Sequence, residues 1–180
     1  MKQIVFAFFT FSVLFIFTTA CINEHEEKEP TTPEVAVGDT LPTFSVTMSD
    51  GTVLDNTMLK EKTSVLVFFN TTCPDCQHEL PIINSLYLAH RDDTDFRLAC
   101  IAREQGKDEI AEYWQAHNLA LPYSPQADKA VFYLFAHNRI PRIYISDKEG
   151  VVRYMHDDRE MPNLPTLEGE LADVRATLGD

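Results

Sequence analysis

The fold is decided by the stretch Val65-Leu-Val-Phe-Phe-Asn-Thr-Thr-Cys73-Pro-Asp-Cys76-Gln-His-Glu79-Leu-Pro81. An apolar run leads directly into a Cys-x-x-Cys motif, and that motif opens a helix. Pro74 suits the first helical position, so Cys73 is predicted to be the N-cap, where side chains accept free backbone N–H groups. The positive end of the helix dipole also stabilises a thiolate there. The sequence therefore predicts that Cys73 is an exposed, attacking thiol.

The second cysteine and its acidic neighbours predict how the pair reacts. Cys76 follows Cys73 by three residues, which is within disulfide geometry, and is predicted to be the buried resolving thiol. Asp75 adds a negative charge that opposes thiolate formation, so we expect a reducing rather than a strongly oxidising pair. Glu79 lies one turn beyond Cys76. If Glu79 is buried, its carboxyl pKa is raised and it can accept the Cys76 proton; the alternative is a solvated helix residue.

Strands and helices alternate along the rest of the chain. Apolar runs at 64–70 and 96–102 predict strands covered on both faces, with a helix at about 74–90 between them. The turn Ser49-Asp50-Gly51 predicts a small N-terminal hairpin. The remaining predicted elements are helices at 107–117, 128–136 and about 168–178, and a terminal hairpin around Asp147–Gly150. This order predicts an α/β domain with helices on both faces of a mixed central sheet.

The N-terminal residues predict export. Residues 4–17 are nearly all apolar after the positive Met1-Lys2, and Thr18-Thr19-Ala20 supplies small residues before Cys21. The apolar run is short for a membrane span of roughly 20 residues, so residues 1–20 are predicted to be a signal peptide. The stretch also resembles a bacterial lipoprotein signal, which implies that Cys21 is lipidated and becomes the mature N-terminus. Secretion without a lipid and an uncleaved anchor remain alternatives.

Charge and composition limit the partners of the mature protein. Residues 21–36 are predicted to be an acidic, flexible tether, and residues 37–180 a single domain. The formal net charge is −13, and it becomes more negative without the signal, which removes Lys2. Such a surface repels phosphate backbones, so no nucleic-acid partner is expected, and the predicted membrane contact is the lipid anchor. Cys100 lies in an apolar run and is predicted to be a small buried strand residue.

Pro141 immediately precedes the apolar run Ile143-Tyr-Ile-Ser. Only about 5–6% of bonds before proline are cis in folded proteins, so on general grounds we expect a trans bond. The order of motifs changes this expectation. The strand, the Cys73-Pro-Asp-Cys76 helix, the long α/β crossover, Ile140-Pro141 and the final hairpin together resemble the thioredoxin fold. The resemblance is to the membrane-anchored, extracytoplasmic TlpA/ResA-like thiol:disulfide oxidoreductases, and it runs from about Val37 to the C-terminus.

The resemblance implies a role for each site residue. Cys73 is the nucleophile, Cys76 the resolving thiol, Glu79 the acidic residue found three places after the second cysteine, and Pro141 a cis-proline that faces the redox-active disulfide. Two positions depart from the family. Thr72 stands where a tryptophan is usual. Arg142 stands where threonine or serine is common, which predicts a cation close to the substrate groove.

The sequence thus predicts a tethered thiol:disulfide oxidoreductase in the cell envelope of a bacterium. Its predicted partners are exported proteins, which react through a mixed disulfide with Cys73, and an unidentified membrane electron donor. No cofactor and no metal are predicted. One alternative is a peroxiredoxin-like peroxidase, which shares the N-terminal hairpin. Another is a module that binds metal through Cys73, Cys76 and a histidine, although the sequence has no second Cys-x-x-Cys and structural zinc usually takes four ligands.

Overall fold

The structure of the chain is a computed structural model that describes residues 33–176. The predicted signal at 1–20, the predicted lipidation of Cys21 and most of the predicted tether lie outside the described residues. Within 33–176, no helix combines the length and the apolar character needed to cross a membrane.

The strands, in chain order, are β1 Ser45–Thr47, β2 Val53–Asp55, β3 Thr63–Phe69, β4 Phe96–Ala102, β5 Tyr123–Ser124, β6 Arg142–Ser146 and β7 Val152–His156. The helices are α1 Asn56–Leu59, α2 Pro74–His90, α3 Lys107–Ala116 and α4 Leu164–Ala176, and Phe132–Leu134 forms a 3₁₀ turn. The two strands and the helix predicted around the cysteine motif are confirmed within a residue at each end.

The strands form two sheets. A five-stranded sheet has the order β5-β4-β3-β6-β7, and a separate antiparallel pair joins β1 and β2. Strand β3 pairs in parallel with β4 and antiparallel with β6, so the central sheet is mixed. The predicted α/β class, mixed sheet and N-terminal hairpin are confirmed.

Strand β3 is buried along its whole length. Its adjacent residues Phe68 and Phe69 point to opposite faces of the sheet. Phe68 contacts the rings of Phe132 and Phe135 at centroid distances of 5.6 and 4.8 Å. Phe69 contacts Trp114 of α3 at 5.0 Å. Helical turns therefore cover both faces of the strand, as its continuous apolar sequence predicts.

The helix predicted at 128–136 is wrong, because only the 3₁₀ turn forms there. Aromatic and β-branched residues at 131–133 have low helix propensity. The two buried phenylalanines, Phe132 and Phe135, are spaced by three residues and both contact Phe68. A 3₁₀ turn has three residues per turn, so it presents this pair on one face.

Three other elements differ from the prediction. Helix α4 begins at Leu164, four residues before the predicted start, because the Asn163 side chain caps it by accepting the backbone N–H of Thr166 at 2.9 Å. The short helix α1 was not predicted, and Asp55 caps it in the same way. Strand β5 was also not predicted, since two residues carry no detectable alternation.

Candidate active site

The loop between β3 and α2 is held by Asn70. Its side-chain oxygen accepts hydrogen bonds from the Thr72 backbone N–H at 2.9 Å and hydroxyl at 2.8 Å. Its side-chain nitrogen donates to the Arg103 carbonyl at 3.0 Å, and its own carbonyl accepts the Cys73 N–H at 3.1 Å. These bonds tie the end of β4 to the residue that starts α2.

A buried glutamine supports the same loop. Gln105 accepts the Thr71 backbone N–H at 2.9 Å through its side-chain oxygen and donates to the Thr71 hydroxyl through its nitrogen. Gln77 of α2 donates to the Thr71 carbonyl at 2.8 Å. Sequence reasoning missed Gln105. The signal was weak: parallel strands β3 and β4 end at the same edge of the sheet, so residues just after each strand are neighbours.

Cys73 occupies the predicted N-cap position and is half-buried. Its side chain accepts no capping bond from the first turn, which differs from the prediction. Its sulfur instead lies 3.5 Å from the carbonyl oxygen of Ile140. The site therefore brings the first cysteine against the loop that precedes β6.

That loop contains the predicted proline. The Ile140–Pro141 peptide bond is cis, so the geometry implied by the family resemblance is present and the general expectation of a trans bond is wrong. Ile140 is buried, and its carbonyl accepts the contact from Cys73. Cys73 and Pro141 thus lie on adjoining segments of one site.

Cys76 is completely buried and is a free thiol. Burial raises the pKa of the Cys76 thiol above its usual range, and the nearby Cys73 sulfur raises this pKa further. A hydrogen bond from the Asn70 backbone and the charge of Arg103 act in the opposite direction. A proton acceptor close to Cys76 is therefore needed before this sulfur can act as a nucleophile near neutral pH.

Glu79 lies one turn after Cys76 on α2 and is only 1% exposed. Neither carboxylate oxygen has a hydrogen-bond partner among residues 33–176. Burial raises the pKa of Glu79 to about 7. The solvated alternative is wrong, and the predicted burial of this carboxylate is confirmed.

The cation predicted close to the substrate groove at Arg142, directly after Pro141, is buried and paired within the protein. The side chain is 2% exposed, and its guanidinium donates to the Glu34 carboxylate at 3.2 Å and to the Asn138 carbonyl at 3.1 Å. Glu34 also accepts the His137 backbone N–H at 2.9 Å. The prediction failed because Glu34 is remote in sequence and its pairing draws the arginine inward.

Two further side chains near the thiols were missed. Arg103 follows β4 and lowers the pKa of Cys76, while its guanidinium carbon lies 5.3 Å from the centre of the Phe132 ring. Tyr113 of α3 is half-buried, and burial together with the Cys76 charge raises its pKa. Thr72, in the place of the family tryptophan, is exposed.

Residues 33–176 contain no group of three or more His, Cys, Asp or Glu side chains that could hold a metal ion. Cys100 is a fully buried free thiol in β4, as predicted.

The fold and a cysteine pair at the start of a helix define the class of thioredoxin-like thiol-disulfide oxidoreductases. The chain belongs to the Redoxin family, whose model matches residues 36–171. Within this family, the predicted resemblance to TlpA/ResA-like proteins is confirmed.

Two curated relatives carry the name thiol-disulfide oxidoreductase ResA. The protein of Bacillus cereus is 26% identical over 121 residues, covering 66% of this chain and 68% of that protein. The protein of Geobacillus thermodenitrificans is 27% identical over 119 residues, with the same coverage of 66% and 68%.

Solved structures share the fold. A proposed protein disulfide isomerase from Bacteroides thetaiotaomicron has a TM-score of 0.72 and 23% identity, covering 81% of this chain and 92% of that chain. StoA from Bacillus subtilis has a TM-score of 0.62 and 19% identity, covering 72% of this chain and 96% of that chain.

Proposed function

We propose that this oxidoreductase reduces disulfides in exported proteins through the Cys73–Cys76 dithiol. One observation carries the proposal. The half-exposed Cys73 lies one helical turn before the buried Cys76, and Cys76 lies one turn before the buried Glu79 carboxylate, which has no hydrogen-bond partner among residues 33–176. This asymmetry gives the two sulfurs and Glu79 different tasks.

In the first step, the Cys73 thiolate attacks one sulfur of the substrate disulfide. A bond forms between Cys73 and that sulfur, the substrate S–S bond breaks, and the other substrate sulfur leaves as a thiolate. The half-exposed position of Cys73 supports this assignment, because only an accessible sulfur can reach a protein disulfide. The Ile140 carbonyl lies 3.5 Å from the Cys73 sulfur, so a substrate joined to Cys73 would lie next to the loop that precedes β6.

In the second step, Glu79 accepts the Cys76 proton and the Cys76 sulfur attacks Cys73. The Cys73–Cys76 disulfide forms, and the substrate leaves as its second thiolate, so two electrons pass to the substrate. A general base works best when its pKa lies near the working pH. The Glu79 pKa of about 7 meets this requirement at neutral pH.

The reducing direction rests on how weakly the reduced form is stabilised. Strong oxidants of this fold owe their potential to a stabilised reduced form. Here the Cys73 side chain takes no capping bond and faces a carbonyl oxygen, and Asp75 in the first helical turn adds negative charge. Both features oppose the stabilisation that an oxidant needs.

The proposed location follows from the N-terminal sequence. Residues 1–20 direct export, Cys21 carries a lipid, and residues 21–36 tether the domain of residues 37–180 to the membrane surface. The partners are then exported disulfide or thiol proteins, and a membrane electron donor returns the enzyme to the dithiol form.

A redox titration of the Cys73–Cys76 couple tests the proposal. We expect a potential near that of thioredoxin, about −270 mV, and a value near about −120 mV would overturn the reducing assignment. Peroxide consumption that outpaces disulfide reduction would favour the peroxiredoxin-like alternative instead. Metal bound to protein purified under reducing conditions would favour the metal-binding module.

A further inference from the structure

A second concave site lies away from the Cys73–Cys76 pair. A cavity of about 270 Å³ is lined by the N-terminal hairpin, the C-terminal end of α2 and the start of β4. Arg91 follows the last residue of α2, a helix of 17 residues that starts beside Cys73. At 1.5 Å per residue, Arg91 is on the order of 25 Å from Cys73 along the helix axis. The disulfide chemistry therefore does not use this cavity.

Two arginines that line this cavity are unpaired. Neither the Arg91 nor the Arg97 side chain makes a hydrogen bond or ion pair with another residue of the described range 33–176. The other described arginines each pair with a carboxylate, namely Arg103 with Glu104, Arg139 with Asp158, Arg142 with Glu34, Arg153 with Asp147, Arg159 with Asp157 and Arg175 with Asp93. Unpaired arginine is thus confined, within this range, to one cavity of a protein with a formal net charge of −13.

Arg97 points to a ligand most directly. It lies on β4 and is half-buried, and its Nε atom is buried with no hydrogen-bond partner. The Nε atoms of Arg103, Arg142 and Arg175 are also buried without a partner, but each of those side chains pairs with a carboxylate and Arg97 does not. A buried donor without a partner costs free energy, because it has lost water and gained nothing. An anion in the cavity would supply the missing acceptor. Arg91 is exposed at the rim, where its long side chain can turn toward the same anion.

The rest of the lining is largely apolar or aromatic. Tyr87, Phe96 and Tyr123 form walls, and Val53 and Met58 line the cavity while remaining 52% and 46% exposed. Such side chains suit the apolar body of a ligand.

One carboxylate also lines the cavity, and it is already engaged. Asp50 accepts the Thr52 backbone N–H at 2.9 Å and the Thr52 hydroxyl at 2.7 Å. These bonds lower the pKa of Asp50, so it stays ionised. Its charge offsets one of the two arginines, which leaves a net single positive charge for the ligand.

We propose that this cavity binds a small organic monocarboxylate with an aromatic or aliphatic body. A guanidinium matches the two oxygens of a carboxylate with parallel N–H donors. At about 30 Å³ for each water-sized group, the cavity holds on the order of ten non-hydrogen atoms. Phenylacetate has this size and combines one carboxylate with an aromatic ring. Phenylacetamide has the same shape without the charge.

Isothermal titration calorimetry of the domain with these two probes tests the proposal. We expect saturable binding of phenylacetate, at least about tenfold weaker binding of phenylacetamide, and a similar loss for phenylacetate in Arg97→Gln. Arg97→Lys keeps the positive charge but lacks the two parallel N–H donors of a guanidinium, so it should bind phenylacetate with intermediate affinity. This variant also separates a loss of binding from a folding defect. Lys60→Gln removes an exposed positive charge on another groove and should bind as the parent does. Cys73→Ser should also bind as the parent does.

Three results would overturn the proposal. These are no heat change from phenylacetate at millimolar concentration, equal affinity for the acid and the amide, and undiminished binding in folded Arg97→Gln. Full competition by inorganic phosphate at the same concentration would overturn the recognition of the apolar body.

Discussion

Cys73 and Cys76 are three residues apart, yet one is half-buried and the other is completely buried. We expect Cys73→Ser to abolish disulfide exchange, since the attacking thiol is lost, and Cys76→Ala to accumulate mixed disulfides, since nothing resolves them. Non-reducing electrophoresis after mixing with a disulfide protein measures both. Cys100→Ala is the control, because this strand thiol is fully buried and inaccessible to a protein disulfide. Equal accumulation of mixed disulfides by Cys73→Ser and Cys76→Ala would contradict the assignment of Cys73 as the attacking thiol and Cys76 as the resolving thiol.

Glu79 should make stability depend on pH. The Glu79 pKa is 4.5 in the unfolded chain and about 7 in the folded protein. At a pH between these two values, the folded protein holds the carboxyl proton more tightly than the unfolded chain does. The contribution of Glu79 to the free energy of unfolding is therefore fully present at low pH and is lost as the pH rises through about 7. Glu79→Gln lacks this loss, and we expect it to exceed the parent in unfolding free energy above pH 7 by up to about 3 kcal/mol.

Denaturant unfolding at several pH values checks this expectation. The difference should shrink toward acid and vanish below pH 4.5, whereas the exposed-site control Glu112→Gln should show no such trend. In kinetic assays, Glu79→Gln should slow the resolving step at neutral pH and leave Cys73 alkylation nearly unchanged, because in the proposed mechanism Glu79 accepts the Cys76 proton. A variant that matches the parent in both experiments would leave Glu79 without a role.

Helix geometry made these three residues predictable, because positions 73, 76 and 79 follow one face of a helix whose start is marked by Pro74. Arg142 was not predictable in the same way. Its burial depends on Glu34, which lies 108 residues away in sequence.

At the scale of elements, Glu34 joins the first described segment to the loop before β6. Its carboxylate accepts bonds from His137 and Arg142, which flank the cis-proline. Burial alone would raise the Glu34 pKa, but these two partners lower it below 4.5. The contribution of this carboxylate to stability is thus present above pH 4.5 and is lost as the pH falls through the lowered pKa.

We expect Glu34→Gln to lower the unfolding free energy by about 1–2 kcal/mol at neutral pH, because it leaves the buried Arg142 charge unbalanced. The loss is smaller than for a fully buried ion pair because Glu34 is 35% exposed. Asp158→Asn removes the partner of the more exposed Arg139 and should cost less than about 0.5 kcal/mol. Similar losses in the two variants would mean that burial of Arg142 adds nothing to the pair.

Elements with a long, regular pattern were predicted well, and the short hairpin β1–β2 was predicted from its turn residues Ser49-Asp50-Gly51, but other short elements were not. Strands β3 and β4 and helix α2 each carry enough periodic residues to fix their type. The two-residue strand β5 and the 3₁₀ turn depend on contacts with neighbouring elements, which no local pattern encodes.

At the scale of the whole molecule, the proposed location of the enzyme depends on its N-terminal residues. If Cys21 carries the lipid, Cys21→Ala should lose metabolic labelling with a fatty acid and leave the membrane fraction, because one modified residue provides the anchor. Fractionation and labelling measure this directly. Cys100→Ala is the matched cysteine control and should keep both. Unchanged labelling of Cys21→Ala would rule out the lipoprotein signal.

The packing of Trp114 has a practical consequence. It is the only tryptophan in the chain, and its ring lies 5.0 Å from that of Phe69, the last residue before the cysteine loop. The adjacent Tyr113 is close enough to Cys76 for their charges to interact. Since position 72 is threonine, no second indole contributes to the emission. Trp114 is therefore an intrinsic fluorescent probe. Its emission should change when the neighbouring Cys73–Cys76 dithiol is oxidised, without any attached dye.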